Sequence, residues 1–404
     1  MDYPGTLILI MAVAVLAPLL AYGAGRWVRI PLVIFEIVLG ILIGPDVLGW
    51  AHQDDLIEVL SELGLCMLIF LAGYEIEFAA IRGDTLRRSV WAWGFSLGLG
   101  LGIALALSGL DLSKSVVIGT ALTSTALGTV LPILRDSGDL RGRFGTVMMA
   151  FGAVGEFGPI IAMAVLLSGR DPGVSTVVLA AFAVITAAAI YWALRPHPPW
   201  FAQIIRTTLH TSGQFAVRFV MLLLVAMLAL SHAFGLDVLL GAFAAGLLTR
   251  LVFQGAAPES GDEVLGKVEA MGFGFLVPLF FIVTGINFDL ASLLDGGRAL
   301  LLLPVFLLLF LVVRGLPAYA LAPRDLNPAD RRALTLYSST CLPLVVAITT
   351  IGLDEKVLEK GEAAALVGAA MVSVLVFPLL ALRVRAKEGK ATTREGPASE
   401  SEAW

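Results

Sequence analysis

Glu156 stands in the middle of an apolar run, within Ala150-Phe-Gly-Ala-Val-Gly-Glu-Phe-Gly-Pro159. An acidic side chain at the centre of a bilayer costs about 2.5–3.5 kcal/mol on insertion scales, so such residues usually serve a purpose. Desolvation disfavours the charged form of a carboxyl group. A carboxylate kept out of water takes either a proton or an alkali cation, and each excludes the other. When the site faces one side of a membrane at a time, that competition is enough for obligatory exchange. The plain alternative is a neutral acid, hydrogen-bonded for packing.

Two further ionisable residues lie at membrane depth. Arg314, in Phe310-Leu-Val-Val-Arg-Gly-Leu-Pro317, either snorkels to the nearer boundary or pairs with a buried carboxylate, most simply Glu156. Glu36, a few residues after Pro31, lines an access funnel or sits at an interface. Glu62, Glu75, Glu77, Asp237 and Asp289 fall near helix ends, where solvation explains them. Hydroxyl groups supply further oxygens. Thr123, Ser124 and Thr125 lie mid-run with Pro132 after them, and Ser338, Ser339 and Thr340 lie mid-run with Pro343 after them. Proline removes a backbone donor and clashes with the preceding turn. Unwound backbone at membrane depth survives only where protein or a water-filled cavity satisfies it. Paired interruptions at matching positions therefore point to an ion site near the midplane, although Ser, Thr and Gly are also ordinary packing residues of membrane helices.

The elements that must position these groups are membrane-spanning helices. Of the 404 residues 58% are hydrophobic and only 15% charged, against roughly 25% charged in soluble domains. Thirteen apolar runs are predicted as helices, at about 5–24, 31–50, 56–76, 88–109, 114–136, 142–168, 174–194, 213–233, 235–253, 264–288, 297–320, 332–353 and 362–384. The division between the eighth and ninth rests on Ser231–Asp237 alone. With the N-terminus outside, the inner loops and tail hold nineteen Lys and Arg and the outer loops five, so the positive-inside rule places the C-terminus in the cytoplasm. The first run is a retained helix, because no small-residue cleavage site follows it. The polar residues 385–404 are predicted as a short disordered cytoplasmic tail.

An internal repeat organises the runs. Phe70-Leu-Ala-Gly-Tyr-Glu-Ile-Glu-Phe78 in the third resembles Ile282-Val-Thr-Gly-Ile-Asn-Phe-Asp-Leu290 in the tenth, matching Gly73 with Gly285 and Glu77 with Asp289. Thr120-Ala-Leu-Thr-Ser-Thr125 in the fifth resembles Thr335-Leu-Tyr-Ser-Ser-Thr340 in the twelfth. Both pairs are seven helices apart, and an odd offset reverses direction through the membrane. The predicted fold is an all-α polytopic membrane protein, with helices 1–6 and 8–13 as inverted halves joined by helix 7 and helices 5 and 12 broken.

Other chemistry is poorly supported. Cys66 and Cys341 lie in apolar runs and read as core residues, and His52, His197, His210 and His232 show no ligand spacing. A net charge of −5 without a basic patch argues against nucleic acid. No nucleophile–histidine set and no phosphate-binding glycine loop points to an enzyme, and no cofactor is expected.

Taken in order, these segments resemble the cation:proton antiporter-2 family, the Kef-type sodium/hydrogen exchanger membrane domain, over about 5–384. The resemblance rests on Pro31-x-Val-x-x-Glu36-x-x-x-Gly40-x-x-x-Gly44-Pro45, Leu60-Ser-Glu-Leu-Gly64 through Glu75, Thr123-Ser-Thr125, Gly235–Gly246 and Pro278–Gly285. It implies a homodimer in a bacterial cytoplasmic membrane. A mobile core, about 88–170 and 297–384, would contain the crossed broken helices and move like an elevator against a scaffold, about 5–76 and 213–288. It implies Na⁺ or K⁺ and H⁺ as the transported ions, with Glu156 a transient ligand of the cation and Thr123–Thr125 and Ser338–Thr340 lending oxygens. Members with an acidic pair in the sixth helix are electrogenic, whereas this sequence has Gly155-Glu156. One acid with an arginine in the eleventh helix implies electroneutral one-for-one exchange. Kef-type proteins carry a nucleotide-binding domain after the membrane part, for which this chain leaves no room. Two other readings stand beside antiport: a proton-coupled transporter of an organic solute, and a non-transporting membrane sensor or partner subunit.

Overall fold

A backbone inside hydrocarbon has no water to bond with, so an apolar segment that crosses it must close its hydrogen bonds internally, and a helix does so. The computed structural model describes residues 3–24, 30–52, 54–76, 83–140, 142–166, 172–193, 195, 199–256, 258–295 and 297–394, with no strand among them. Twelve helices are long and apolar enough to span a membrane. The first half holds α1 (Tyr3–Ala24), α2 (Leu32–Ile43), α3 (Asp55–Glu75), α4 (Asp84–Leu107), α5 (Leu112–Leu122), α6 (Leu127–Asp136) and α7 (Arg143–Leu166). Next come α8 (Pro172–Ala193) and the short α9 (Pro199–Thr208). The second half holds α10 (Phe215–Ala233), α11 (Val238–Ala256), α12 (Pro258–Met271), α13 (Val277–Ile286), α14 (Leu290–Asp295) and α15 (Arg298–Phe310). It ends with α16 (Leu316–Leu321), α17 (Pro328–Ser338), α18 (Pro343–Asp354) and α19 (Lys360–Arg394).

The second predicted span is shorter than expected. Only α2, 12 residues, is helical, which reaches about 18 Å at 1.5 Å per residue. Gly44-Pro45 ends it, and the N–H groups of Leu48, Trp50 and Ala51 fold back onto carbonyls of Leu42 and Ile43. The division at Ser231–Asp237 is real: Gly235 takes a positive φ of 64° and Asp237 Oδ1 accepts the Leu239 N–H at 2.8 Å. Asp289 does the same for Ser292 at 2.7 Å, while its repeat mate Glu77 lies outside the described residues.

α2 and α13 pack through missing side chains. A Cβ on Gly40 of α2 would strike the Ile282 carbonyl of α13, and one on Gly285 would strike the Ile37 carbonyl. The two backbones touch as small-residue membrane interfaces do. Gly40→Leu is expected to prevent a stable fold, read as loss of the monodisperse peak on size-exclusion chromatography. A Gly23→Leu control, where nothing lies within 4 Å of the added Cβ, should leave that peak in place.

The fifth and twelfth predicted spans are both broken, α5 from α6 at Thr123–Ala126 and α17 from α18 at Ser339–Leu342. Pro343 opens α18, in the first turn where a missing N–H goes unnoticed. Pro132 does not make its break: it lies inside α6, past the interruption. That break is held open by tertiary bonds. The Thr125 N–H donates to the Gly155 carbonyl at 2.9 Å and the Ala126 N–H to the Thr340 carbonyl at 2.7 Å, so the two interruptions meet. Gly155 has a carbonyl to give because Pro159, four residues on in α7, carries no N–H to claim it.

α19 remains helical past 384, to Arg394, where irregular chain was predicted. Arg385 pairs with Asp139, between α6 and α7, at 2.5 Å and with Asp330 of α17 at 2.8 Å. Its guanidinium lies 4.0 Å from the centroid of the Phe144 ring.

Candidate functional site

The meeting of the two breaks brings four half-helix ends to the middle of α7. Glu156 lies there, 2% exposed. The start of α6 at Leu127 packs against α7 there, and the helix dipole at a helix N-terminus favours negative charge. Glu156 Oε2 has no hydrogen-bond partner among the described residues. A buried polar atom with an unused lone pair is costly and is suited to a ligand that arrives.

Arg314 does not pair with Glu156 as the sequence suggested. It is fully buried within a π-helical turn, Leu311–Gly315, a geometry that recurs at functional sites. Its Nε donates to Thr125 Oγ1 at 2.9 Å and its Nη2 to the Phe151 carbonyl at 2.6 Å. Nη1 has no hydrogen-bond partner. The guanidinium occupies the space beside Gly155, where an added Cβ would overlap Arg314 Nη2 and Thr125 Oγ1. Gly155 thus makes room for a cation where a second side chain would otherwise stand. Gly155→Ala is expected to destabilise the fold by about 1–3 kcal/mol, as overpacking does, and to depress exchange by misplacing Thr125. The thermal midpoint and flux of the purified variant check both.

The hydroxyl groups divide into two sets. Thr123 and Ser124 donate to the Thr120 and Ala121 carbonyls at 2.8 Å each. Ser339 and Thr340 donate to the Thr335 and Leu336 carbonyls at 2.8 and 3.1 Å. These four cap the broken ends locally, a known alternative to helical bonding. Thr125 and Ser338 stand at the junction itself. Thr125 Oγ1 donates to the Ser338 carbonyl at 2.6 Å, and Ser338 Oγ, fully buried, has no hydrogen-bond partner.

Ser373 of α19, not singled out from sequence, holds the second break. Its Oγ accepts the Cys341 N–H at 3.1 Å and lies 3.1 Å from the Cys341 carbonyl. A lone serine in an apolar run gave no signal.

Glu36 is elsewhere. It lies on α2, 4% exposed, and lines a cavity of about 910 Å³ between α2, α3 and α13 and the α6 and α19 segments. The inner wall includes Gly128 and Thr129, next to Leu127. Glu75 and Glu269 also line it.

YjbQ of Bacillus subtilis (strain 168) is 26% identical over 392 residues, 93% of this chain, and the chain spans 62% of that relative's length. The Na(+)/H(+)-K(+) antiporter GerN of Bacillus cereus is 26% identical over 64% of the chain and 65% of its own length. The Na(+)/H(+) antiporter of Enterococcus hirae is 23% identical over 94% of the chain and 97% of its own length. Among solved structures, the sodium proton antiporter MjNhaP1 from Methanocaldococcus jannaschii superposes with a TM-score of 0.67 at 16% identity, over 98% of this chain and 99% of that one; the likeness is one of fold. The family model described as sodium/hydrogen exchanger, transmembrane, matches residues 11–382. The chain belongs to the sodium/hydrogen exchanger family.

Proposed function

We propose that the chain exchanges a monovalent cation, Na⁺ or K⁺, for protons by secondary active antiport, with Glu156 as the group for which the two ions compete. The observation that carries this reading is the unpartnered Oε2 of a 2%-exposed Glu156 beside two interrupted helices. The Ser338 hydroxyl and the carbonyls freed at the breaks would supply further oxygens for a cation. Thr123, Ser124, Ser339 and Thr340 contribute by holding the broken ends. One carboxylate takes one proton or one monovalent cation, so each direction of the cycle carries the same charge. Exchange is then electroneutral. The name of GerN includes K⁺ beside Na⁺, which keeps both cations in the reading.

Alternation would come from the core sliding against the scaffold within a homodimer, with the N-terminus outside on the arginine asymmetry. Phe157, beside Glu156, stacks on Phe243 of the scaffold at 4.6 Å between ring centroids. A cross-link tethering α7 to α11 at this contact should stop exchange, and reduction of the link should restore it.

The deciding experiment is flux in proteoliposomes with an imposed pH gradient. Na⁺ or K⁺ added on one side should move protons the other way. Collapsing the membrane potential with a permeant anion should leave the rate unchanged. Absence of any alkali-cation response would remove the reading; a marked dependence on potential would remove electroneutrality alone.

A further inference from the structure

We infer that Ser373 of α19 is a positioning residue that sets how sharply the ion site tells one alkali cation from another. It does so by fixing the plane of the Thr340–Cys341 peptide. The inference rests on the antiport reading and adds to it a residue that acts through the backbone.

The Thr340–Cys341 peptide is held at both ends. Its carbonyl accepts the Ala126 N–H at 2.7 Å, which ties the second break to the first. Its N–H, on Cys341, donates to Ser373 Oγ at 3.1 Å. Ser373 and Cys341 are fully buried, so water does not compete for this bond. A hydroxyl has one proton to give. Here it lies between the Ala370 carbonyl at 2.7 Å and the Cys341 carbonyl at 3.1 Å, which leaves an oxygen lone pair for the Cys341 N–H. A peptide bonded at both its polar ends is polarised, each bond strengthening the other. It cannot swivel without losing both.

Neighbouring oxygens take their direction from this peptide. The Ser339 carbonyl comes just before it, and Pro343, four residues after Ser339, has no N–H to claim that carbonyl. The Ser338 carbonyl accepts Thr125 Oγ1 at 2.6 Å, the same hydroxyl that takes the Arg314 Nε bond. Swivelling the Thr340–Cys341 peptide would therefore swing the oxygens of the second break. Discrimination between cations of different radius comes from the size of the oxygen cage and from the number and field strength of its dipoles. A loosened break still offers oxygens, but they adapt to whichever ion arrives.

α19 serves the second break as α7 serves the first. The Gly155 carbonyl, four residues before Pro159, holds the Thr125 N–H. The Ser373 hydroxyl, five residues before Pro378, holds the Cys341 N–H. In α7 the holder is backbone. In α19 it is a side chain, so one substitution removes it and leaves the helix formed.

The test measures proton flux driven by Li⁺, Na⁺ and K⁺ in proteoliposomes, and amide hydrogen exchange on the same preparations. Ser373→Ala removes the hydroxyl and places the best helix former in α19. The wild type should show different half-saturating concentrations for the three cations. In the alanine variant the ratio of the largest to the smallest should shrink at least about threefold, with maximal rates within about twofold, the scale of one neutral hydrogen bond. Amides of Thr125–Ala126 and Ser339–Leu342 should exchange about tenfold faster on the same scale. Ser373→Thr keeps the hydroxyl and should keep both the ratio and the slow exchange. Equal half-saturating concentrations in the wild type would overturn the proposal. So would an alanine variant whose maximal rate and unfolding midpoint fall while the ratio stays, which is the mark of a merely structural serine. So would a threonine variant that folds yet loses the ratio. A wild type that moves no alkali cation refutes the antiport reading instead, and unchanged amide exchange in the alanine variant refutes the hold of Ser373 on the break whatever the flux.

Discussion

Glu156→Gln is expected to abolish exchange while the protein stays folded. Glutamine keeps the length and shape of the side chain. The variant can no longer bind a proton or balance a cation. Removing one preorganised polar group from a desolvated site costs on the order of a hundredfold or more in rate, so proton movement driven by Na⁺ or K⁺ should fall to the level of empty liposomes. Stability should be unchanged or slightly higher, because an unpartnered buried carboxylate carries a desolvation cost that a neutral amide lowers. The paired measurement is proteoliposome flux and thermal midpoint on the same preparation. Exchange at the wild-type rate in the glutamine variant would falsify the assignment of Glu156, whatever the stability.

Arg314→Met should separate stability from transport in the opposite manner to a packing mutation. The guanidinium is fully buried, has no ion-pair partner among the described residues, and leaves Nη1 without a hydrogen-bond partner. Replacing buried ionic groups by apolar ones of similar volume is often neutral, or stabilising by about 1–4 kcal/mol. The acceptors it leaves behind are not stranded. Thr125 still donates to the Ser338 carbonyl, and the Phe151 carbonyl stays within α7. The unfolding midpoint should therefore hold or rise. Transport should fall for two reasons: the break loses the donor that fixes Thr125, and the site loses the positive charge that helps expel a bound cation. The half-saturating cation concentration should drop together with the maximal rate, a combination that a distorted fold would not produce. Collapse of the midpoint would show instead that Arg314 holds the structure together.

Much of the fold was legible because spanning helices announce themselves by length. Runs of about twenty apolar residues need no tertiary information, and twelve of the thirteen predicted runs are long apolar helices. The exception, α2, reads as a full span because the residues after Gly44-Pro45 remain apolar while their backbone turns back. The paired breaks were legible from matched Thr-Ser-Thr and Ser-Ser-Thr segments. Their cause was not: Pro132 lies within α6, whereas Pro159, on a different helix, frees the carbonyl that holds the first break. Arg314 stayed open between snorkelling and pairing with a buried carboxylate, because a sequence does not show the π-helical turn from which it reaches Thr125 and Phe151. Glu75 was read as a solvated helix end because a sequence does not show that a cavity reaches that end. α9 fell in a stretch read as loop; ten residues with Phe201 and Ile205 inward and Trp200 outward are too few to register against twenty-residue spans.

The grip of Arg385 on Asp139 and Asp330 makes the last helix a rein. One side chain on the segment leaving the bundle holds a loop next to α6 and the start of α17, so a load on that segment reaches both interrupted elements at once. Shortening the chain at residue 384, a natural place to trim a hydrophilic tail, would cut the rein and let the two ends drift apart. A bulky body fused soon after Arg394 would pull on it instead.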